Sequence, residues 1–385
     1  MIVPSLSGVE SGLTNQIVRA MELRDLSLAG NLATKLAMLE RASEWYPAEA
    51  RAQPAGSTDA QLSLPKLRHD IDQFRYLQKI GALDDRFDEV IRAYESTANR
   101  LDGLGKDARV PLTAEDRSGV GRAYGRIVHL RDAPRLQTAL SRSWNRGEAQ
   151  RKYRERPGIV VIDNFLSHEA LDLLYRFCLE STVWFGNRYA HGRLGAFFFS
   201  GFNCPLLLQL AEELRDSIPE LIGSRYPLRQ LWGFKNTCEL PADSTIHADF
   251  AAVNVNCWIT PTSANLDESS GGMVIYDVAA PQSWDFAAYN ERIDLIREFL
   301  SRRRARAIRV PYRQNRAIIF NSDLFHATEA VRFKPDYESH RINITLLYGE
   351  RQRDSHHPPP SNDSDWTAVV PLTGWRSAAF SRSRR

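Results

Sequence analysis

The sequence predicts an α+β protein, with an N-terminal α-helical domain followed by a β domain built as a barrel or jelly roll. Up to about residue 156, apolar residues recur at three- and four-residue intervals, as they do along one face of a helix. Beyond that point, short segments rich in β-branched residues alternate with turn residues, which is typical of antiparallel barrels and two-layered sheets. A chain of 385 residues is long enough for two or three domains.

Composition places the chain among ordinary globular proteins, with 43% apolar and 25% charged residues. Its 50 basic and 47 acidic residues leave a net charge of only +3, which does not favour nucleic acid as a partner. The N-terminus lacks the pattern of a secretory signal, and no apolar run approaches the length of a membrane span. We therefore expect a cytoplasmic protein that binds neither nucleic acid nor membranes.

The helical domain is predicted to cover residues 1–155. It contains two long amphipathic stretches, and a segment rich in proline and glycine separates them. The two stretches are "LTNQIVRAMELRDLSLAGNLATKLAMLERASEWY" and "LPKLRHDIDQFRYLQKIGALDDRFDEVIRAYESTANRL".

The β domain is predicted to cover residues 156–351, beginning where "RPGIVVIDNFLS" replaces helix formers with β-branched residues. A helical insertion is expected at about 284–304, and a loop-rich tail at 352–385. The later strands are expected in "PLRQLWGFKNTCEL", "AAVNVNCWIT", "GGMVIYDV", "RAIRVPY", "RAIIFNSDLFHATEAV" and "RINITLLYG".

Three side chains of the β domain form a candidate metal site. His247 and Asp249 are two residues apart in "STIHADF", and side chains at that spacing project from the same side of an extended chain. On its own this pair is more typical of a turn or a surface loop. His326 follows the apolar strand "AIIFNSDLF" in the same domain. Two imidazoles and one carboxylate can form a facial triad, which holds Fe(II) and leaves the opposite coordination positions open.

Arg341 is a candidate anchor for an anionic ligand, because it opens the apolar strand "RINITLLYG" and needs a partner if it is buried there. A guanidinium group donates two parallel hydrogen bonds to a carboxylate. It would therefore suit a dicarboxylate bound inside a narrow barrel.

In their order along the chain, His247, Asp249, His326 and Arg341 resemble the motif of Fe(II)/2-oxoglutarate-dependent dioxygenases, especially the prolyl-hydroxylase-like branch. The resemblance covers roughly residues 157–351 and includes "SGGMVIYD" and "FNSDLFHATEAV". It implies a double-stranded β-helix (jelly-roll) catalytic domain that uses Fe(II), 2-oxoglutarate and O2. It also implies that His247, Asp249 and His326 are the catalytic iron ligands and that Arg341 holds the distal carboxylate of 2-oxoglutarate. Two positions after this arginine the family often has a hydroxyl residue, whereas this chain has Asn343.

Strand alternation extends the candidate site. In "AAVNVNCWIT" the side chains of Asn254, Asn256 and Trp258 share one face, and the opposite apolar face should pack on helices. Asn343 should likewise face the barrel interior beside Arg341. Buried amides need partners, which would be either 2-oxoglutarate and the groups around the metal ligands, or the neighbouring backbone. We expect Asn254, Asn256 and Asn343 to take part in binding 2-oxoglutarate.

Further side chains either line the pocket or fill the core. Lys235 and Asn236 end the first long strand of the β domain, and together with Trp258 they are candidate pocket residues. The aromatic stretch "NRYAHGRLGAFFFSG", which precedes the barrel, either forms a lid over the substrate or packs in the core.

The resemblance implies hydroxylation of an unactivated C–H bond, with release of succinate and CO2. Related halogenases replace the carboxylate ligand with a small residue, so the presence of Asp249 argues against halogenation. The expected substrate is an amino acid, free or carrier-bound, or another small biosynthetic metabolite. A peptidyl (prolyl-type) hydroxylase is the close alternative. From another class, the protein could be a non-catalytic metal-binding jelly roll, although such a sensor or scaffold has no evident need for Arg341.

Overall fold

A computed structural model describes residues 6–45, 61–105, 107–237, 239–242 and 245–351. The expected tail at 352–385 lies outside the described residues. Within these ranges, every helix is too short or too polar to cross a membrane.

Helices dominate the first half of the chain, as the apolar periodicity predicts. Residues 123–145, however, contain no α-helix although helix was predicted there. Gly125 adopts a φ of +71° and Pro134 cannot donate a helical hydrogen bond, so both interrupt the helical pattern. The helices are α1 (Leu6–Glu22), α2 (Leu26–Arg41), α3 (Leu64–Lys79), α4 (Asp88–Leu101), α5 (Ala114–Ser118), α6 (Arg146–Arg154), α7 (His168–Glu180), α8 (Pro205–Ser217) and α9 (Ile293–Arg302).

Strands dominate the second half, and each predicted β segment contains one or two of them. The sequence did not predict the short strands β1 and β2, or β4, which lies in the aromatic stretch before the barrel. The strands are β1 (Gln61–Leu62), β2 (Val110–Pro111), β3 (Ile159–Ile162), β4 (Arg193–Phe197), β5 (Leu228–Asn236), β6 (Val253–Trp258), β7 (Met273–Ala279), β8 (Ala307–Val310), β9 (Ala317–Asn321), β10 (Leu324–Thr328) and β11 (Arg341–Tyr348).

Two antiparallel sheets make up the β domain. The larger has the strand order β3-β9-β6-β11-β5-β4, and the smaller has the order β10-β7-β8. Their facing sides share one apolar core, in which Trp258 and Phe320 of the larger sheet pack with Met273 and Ile275 of the smaller. The chain is therefore an α and β protein whose strands form two facing layers.

Helices cover the outer face of the larger sheet. Val255 of β6 and Ile344 of β11 share one buried cluster with Ile17 of α1, Ala29 of α2 and Leu207 of α8. The apolar faces of β6 and β11 thus pack on helices, as their alternation predicts. This core continues across the predicted domain boundary at residue 155, because α1 and α2 belong to it. Helices α3 and α4 pack in a separate apolar cluster.

The expected helical insertion lies between β7 and β8. It consists of a π-helical turn, Ala287–Glu291, followed by α9. Its buried Tyr289 and Ile296 pack with Ala248 and with Phe325 of β10. The insertion therefore covers the chain segment that carries two of the candidate metal ligands.

Candidate metal centre and cavity

Strand pairing brings the two histidines together. His247 and His326 face each other in an antiparallel bridge. The His247 amide donates to the His326 carbonyl at 3.0 Å, and the His326 amide donates to the His247 carbonyl at 2.8 Å. The centroids of the two imidazole rings are 4.4 Å apart. Residues that are far apart in sequence are thereby fixed side by side.

Backbone carbonyls orient both rings. His247 Nδ1 lies 2.6 Å from the Thr245 carbonyl, and His326 Nδ1 lies 3.0 Å from the Leu324 carbonyl. A carbonyl only accepts hydrogen bonds, so each Nδ1 carries the proton and each Nε2 keeps a lone pair for a metal ion. Burial and the neighbouring His326 lower the pKa of His247 to about 4, which keeps that imidazole neutral.

Asp249 completes the cluster. Its Oδ1 lies 3.7 Å from His247 Nε2, and its Oδ2 lies 3.4 Å from His326 Nε2. Burial alone would raise the pKa of Asp249, but the two imidazoles and the Asn254 amide outweigh that effect and lower it. The carboxylate is therefore ionised at neutral pH. Within the described ranges, no other group of three such side chains is arranged to share an ion.

The insertion and the turn after β9 hold the segment 247–249 in place. The Ala248 amide donates to the Tyr289 carbonyl at 2.8 Å, and the Asn290 side chain donates to the Ala248 carbonyl at 2.9 Å. The Asp249 amide donates to the Ser322 carbonyl at 3.1 Å. With this backbone fixed, the side chains on either side of Ala248 both reach the centre.

A chain of amides links the carboxylate to the arginine. Asn254 Nδ2 donates to Asp249 Oδ2 at 2.5 Å, and Asn256 Nδ2 donates to Asn254 Oδ1 at 2.5 Å. Asn343 Nδ2 donates to Asn256 Oδ1 at 3.2 Å, and Arg341 Nη1 donates to Asn343 Oδ1 at 3.2 Å. The inward-facing asparagines therefore bond to one another and to the two charged side chains, not to the neighbouring backbone.

Arg341 is almost completely buried. Its Nε donates to the Gly271 carbonyl at 2.6 Å, and its Nη2 donates to the Gly272 carbonyl at 3.4 Å. Burial lowers the pKa of Arg341 to about 10, so the group is still a cation at neutral pH. Gly272 has no room for a side chain, since a Cβ there would lie 1.9 Å from the Val310 carbonyl oxygen. The Gly-Gly pair thus brings two backbone acceptors up to the guanidinium.

The histidines, Asp249 and Arg341 face one cavity. Its accessible volume is only about 30 Å³, so the side chains around it lie close together. Asn256 and Asn343 also line it, so these two predicted residues lie beside the candidate metal centre. The remaining lining residues are Arg193, Trp232, Phe234, Met273, Thr328 and Thr345.

Lys235 does not line this cavity; of the two alternatives, pocket or core, it takes the second. Side chains alternate along β5, so Lys235 faces the helices while Phe234 faces the cavity. Lys235 Nζ donates to the Cys178 carbonyl at 3.2 Å and to the Tyr337 hydroxyl at 3.1 Å. Burial lowers the pKa of this lysine to about 7. Its role is to bridge β5 and the helical layer.

Three other predicted residues are not among those that line the cavity. The Asn254 amide is used by Asp249 and Asn256, which places it one layer back from the cavity. Trp258 is buried beneath Arg341, with the guanidinium carbon 5.6 Å from its ring centroid. Asn236 is buried on the same sheet, and neither polar atom of its side chain has a hydrogen-bond partner among the described residues.

Arg193 is the charged cavity residue that sequence reasoning missed. It begins β4, inside the stretch interpreted as a lid or as core. Phe198 and Phe199 from that stretch are core residues, whereas Tyr189 packs edge-to-face on Phe234 at the cavity. In "RLGAF" the apolar Leu194 and Ala196 share one face and Arg193 lies on the other, and this alternation was the available signal for a strand.

Asn254→Ala is expected to weaken binding of a divalent metal by about 10- to 100-fold, because the variant removes the donor that orients Asp249. Equilibrium binding of Ni(II), followed by calorimetry, measures the change. Val255→Ala is the matched control. Val255 is the next residue of the same strand but packs on the helical side, so its loss should lower stability and leave metal affinity unchanged. Equal metal affinity in Asn254→Ala and wild type would contradict the orienting role.

No protein-family model and no curated protein matches the sequence. Among solved structures, the chain is similar to the non-heme alpha ketoglutarate dependent carbocyclase SnoK from nogalamycin biosynthesis, with 13% identity, a TM-score of 0.39, and coverage of 56% of this chain and 87% of SnoK. A Pseudomonas putida prolyl-4-hydroxylase gives 11% identity and a TM-score of 0.34, with coverage of 54% of this chain and 100% of that protein. EctD from S. alaskensis, with 2-oxoglutarate and 5-hydroxyectoine, gives 14% identity and a TM-score of 0.36, with coverage of 57% and 83% respectively. The structural neighbours thus include 2-oxoglutarate-dependent enzymes. Because these TM-scores lie below 0.5, the function proposed below depends on the residues of this chain.

Proposed function

We propose that the protein is an Fe(II)- and 2-oxoglutarate-dependent oxygenase with a double-stranded β-helix catalytic domain. It hydroxylates an unactivated C–H bond of a small substrate and releases succinate and CO2. The observation that carries this proposal is a single cavity that holds both a two-histidine, one-carboxylate cluster and a buried arginine. Either feature alone would be compatible with other functions.

The donor set suits Fe(II). His247, Asp249 and His326 offer two neutral imidazole nitrogens and one ionised carboxylate, which is the ligand set of non-heme Fe(II) oxygenases. Their ligand atoms all lie within 4.8 Å of one another, so one ion can contact all three with small side-chain movements. When bound, the iron and 2-oxoglutarate supply the activation of O2.

Arg341 suits the distal carboxylate of 2-oxoglutarate. The guanidinium is buried, charged and bonded only to neutral acceptors, Gly271, Gly272 and Asn343. Among the described residues, no carboxylate neutralises it at hydrogen-bond distance. A buried cation in this position is stabilised when an anion binds beside it. Asn343, which stands where the family often has a hydroxyl, also lines the cavity and accepts from Arg341, so it orients the guanidinium.

The remaining cavity wall excludes water and shapes access for a substrate. Trp232, Phe234 and Met273 supply apolar surface around the polar groups. The loop 186–192 runs beside this wall, and Arg109 holds it through the carbonyls of Asn187 at 2.7 Å and Tyr189 at 2.8 Å. The N-terminal half of the chain would therefore help to form the substrate entrance.

Anaerobic titration of the purified protein with Fe(II) and 2-oxoglutarate tests the proposal. We expect about one iron per chain and the weak visible charge-transfer band of the iron–2-oxoglutarate chelate. A library of small metabolites and of peptides, scored for substrate-dependent succinate release and an added oxygen in the product, then separates the two substrate classes. Metal binding without the visible band, and without succinate release, would instead support a non-catalytic metal-binding protein.

A further inference from the structure

Arg193 and Arg341 occupy the same row of the larger sheet. Arg193 of β4 is the register partner of Asn236 of β5, and Asn236 is also the register partner of Arg341 of β11. Neighbouring strands are about 4.8 Å apart, so two arginine backbones separated by one strand are roughly 10 Å apart. Both side chains line the cavity that contains the candidate metal centre. The cavity therefore has a cationic side chain at each of two separate positions.

The two arginines differ in their hydrogen bonding. Arg341 uses its guanidinium nitrogens on backbone and amide acceptors, as described above. Arg193 Nε is buried and has no hydrogen-bond partner among the described residues. The Arg193 guanidinium carbon lies 3.9 Å from the ring centroid of Phe234, so the group is stacked on an aromatic face. Stacking fixes the plane of a guanidinium group while its edge keeps free donors.

A glycine beside Arg193 leaves room for this stack. Gly195 follows Arg193 on the same face of β4, and a Cβ at Gly195 would lie 2.7 Å from the Phe197 ring and 3.3 Å from the Phe234 ring. Without that side chain, the Phe234 ring can lie under the guanidinium. The unsatisfied Asn236 amide lies in the same row between the two arginines. Buried polar groups without partners are rare in folded proteins, so this amide is available to a bound ligand or water.

The charges in the cavity indicate the sign of that ligand. In the proposed function the divalent iron, Arg341 and Arg193 are cationic, and Asp249 is the only anionic group among the described residues at the candidate metal centre. Iron, Arg341 and Arg193 together carry four positive charges, whereas Asp249 and the 2-oxoglutarate dianion together carry three negative charges. One positive charge therefore remains. A carboxylate of the substrate would pair with the charge that remains on Arg193.

We propose that Arg193 binds the carboxylate of the primary substrate, which is therefore a free carboxylic acid such as an unesterified amino acid. This inference rests on the proposed function and narrows it. A carrier-bound amino acid has its carboxyl group in a thioester, and an internal peptide residue has it in an amide. Neither offers the planar anion that a stacked guanidinium group binds through two parallel hydrogen bonds.

The test compares matched pairs of compounds. Free amino acids and N-acetyl amino acids are assayed against their methyl esters and primary amides, with succinate release as the readout. In wild type, the kcat/KM for succinate release should be at least 30-fold higher with one or more of the acids than with the matching ester or amide. Arg193→Met should lose that preference and raise the KM for the acid by at least 30-fold, with the KM for 2-oxoglutarate unchanged. Arg193→Lys keeps the positive charge but cannot donate two parallel hydrogen bonds, so its KM for the acid should lie between those of wild type and Arg193→Met.

Arg225→Met is the matched control. Arg225 is exposed and also stacks on an aromatic ring, with its guanidinium carbon 4.9 Å from the Tyr226 ring centroid, but it lies away from the cavity. The Arg225→Met variant should keep the wild-type KM for the acid and the wild-type preference for acids over esters and amides. Calorimetric titration of the preferred acid into Ni(II)- and 2-oxoglutarate-loaded protein gives a second readout that needs no turnover. Binding should be lost in Arg193→Met and kept in Arg225→Met.

Three outcomes would overturn the inference. Esters or amides that work as well as the acids would show that no substrate carboxylate is recognised. A preference for phosphate monoesters over carboxylic acids would assign the site to a different anion. A KM for 2-oxoglutarate that rises in Arg193→Met would assign this arginine to the co-substrate. In each case the anaerobic iron–2-oxoglutarate band would persist in wild type, whereas the absence of that band would reject the proposed function itself.

Discussion

Replacement of Asp249 by alanine is expected to abolish succinate formation, lowering its rate by at least about 1000-fold. Fe(II) binding should weaken by more than about 100-fold, because loss of a residue that only orients a ligand already costs roughly 10- to 100-fold. The reason is electrostatic as well as geometric. Asp249 is the only negatively charged member of the cluster, and it lies 3.4 and 3.7 Å from the two imidazole Nε2 atoms. Without it, two neutral histidines remain to hold the ion. Metal content per chain and succinate release measure the two effects.

A second aspartate provides the control for this prediction. Asp277 on β7 is mostly buried but forms its ion pair with the exposed Arg306, outside the cavity. Asp277→Ala should therefore keep wild-type iron content and activity. Wild-type turnover in Asp249→Ala would rule out its assignment as a metal ligand. Circular dichroism of both variants shows whether any loss arises from unfolding.

Replacement of Arg341 by methionine is expected to raise the KM for 2-oxoglutarate by about 30- to 3000-fold while iron remains bound. Removing one partner of a buried, hydrogen-bonded charge pair costs about 2–5 kcal/mol, and each 1.4 kcal/mol is a tenfold change in affinity. Methionine is unbranched and apolar, so it can occupy much of the same space. The Gly271 and Gly272 carbonyls would lose their donor, and some loss of stability should accompany the loss of affinity.

Arg306→Met is the control for Arg341, because Arg306 is exposed and lies just before β8. Its KM for 2-oxoglutarate should match that of wild type. Arg341→Lys separates charge from geometry, since lysine keeps the charge but cannot donate two parallel hydrogen bonds. An unchanged KM for 2-oxoglutarate in Arg341→Met would mean that the co-substrate binds elsewhere in the cavity.

Together, these variants test two ends of one hydrogen-bonded chain. Asn254, Asn256 and Asn343 connect Asp249 to Arg341 without a break. Because amides both donate and accept, the chain can orient the carboxylate at one end and the guanidinium at the other. The asparagines therefore stiffen the candidate site without adding charge to it.

Period-two alternation allowed much of this site to be predicted. In β6 and β11 it assigned Asn254, Asn256 and Asn343 to the inner face, and the structure places them there. The sequence left Lys235 open between pocket and core because β5 is buried on both faces, so that strand shows no contrast between a polar and an apolar side. Arg193 was missed because β4 is short and lies in a run of aromatic residues that resembled core.

By itself the sequence determined several local features of this protein: the segments that form β3 and β5 to β11, the polar faces of β6 and β11, and the ability of His247 and Asp249 to reach one ion. These follow from spacing along the chain, which acts over a few residues. Only the tertiary structure decided that the histidines pair across a bridge, that the asparagines form one chain, and that Arg193 shares the cavity with Arg341. Such contacts depend on strand order and register, which bring together residues that no short-range pattern relates.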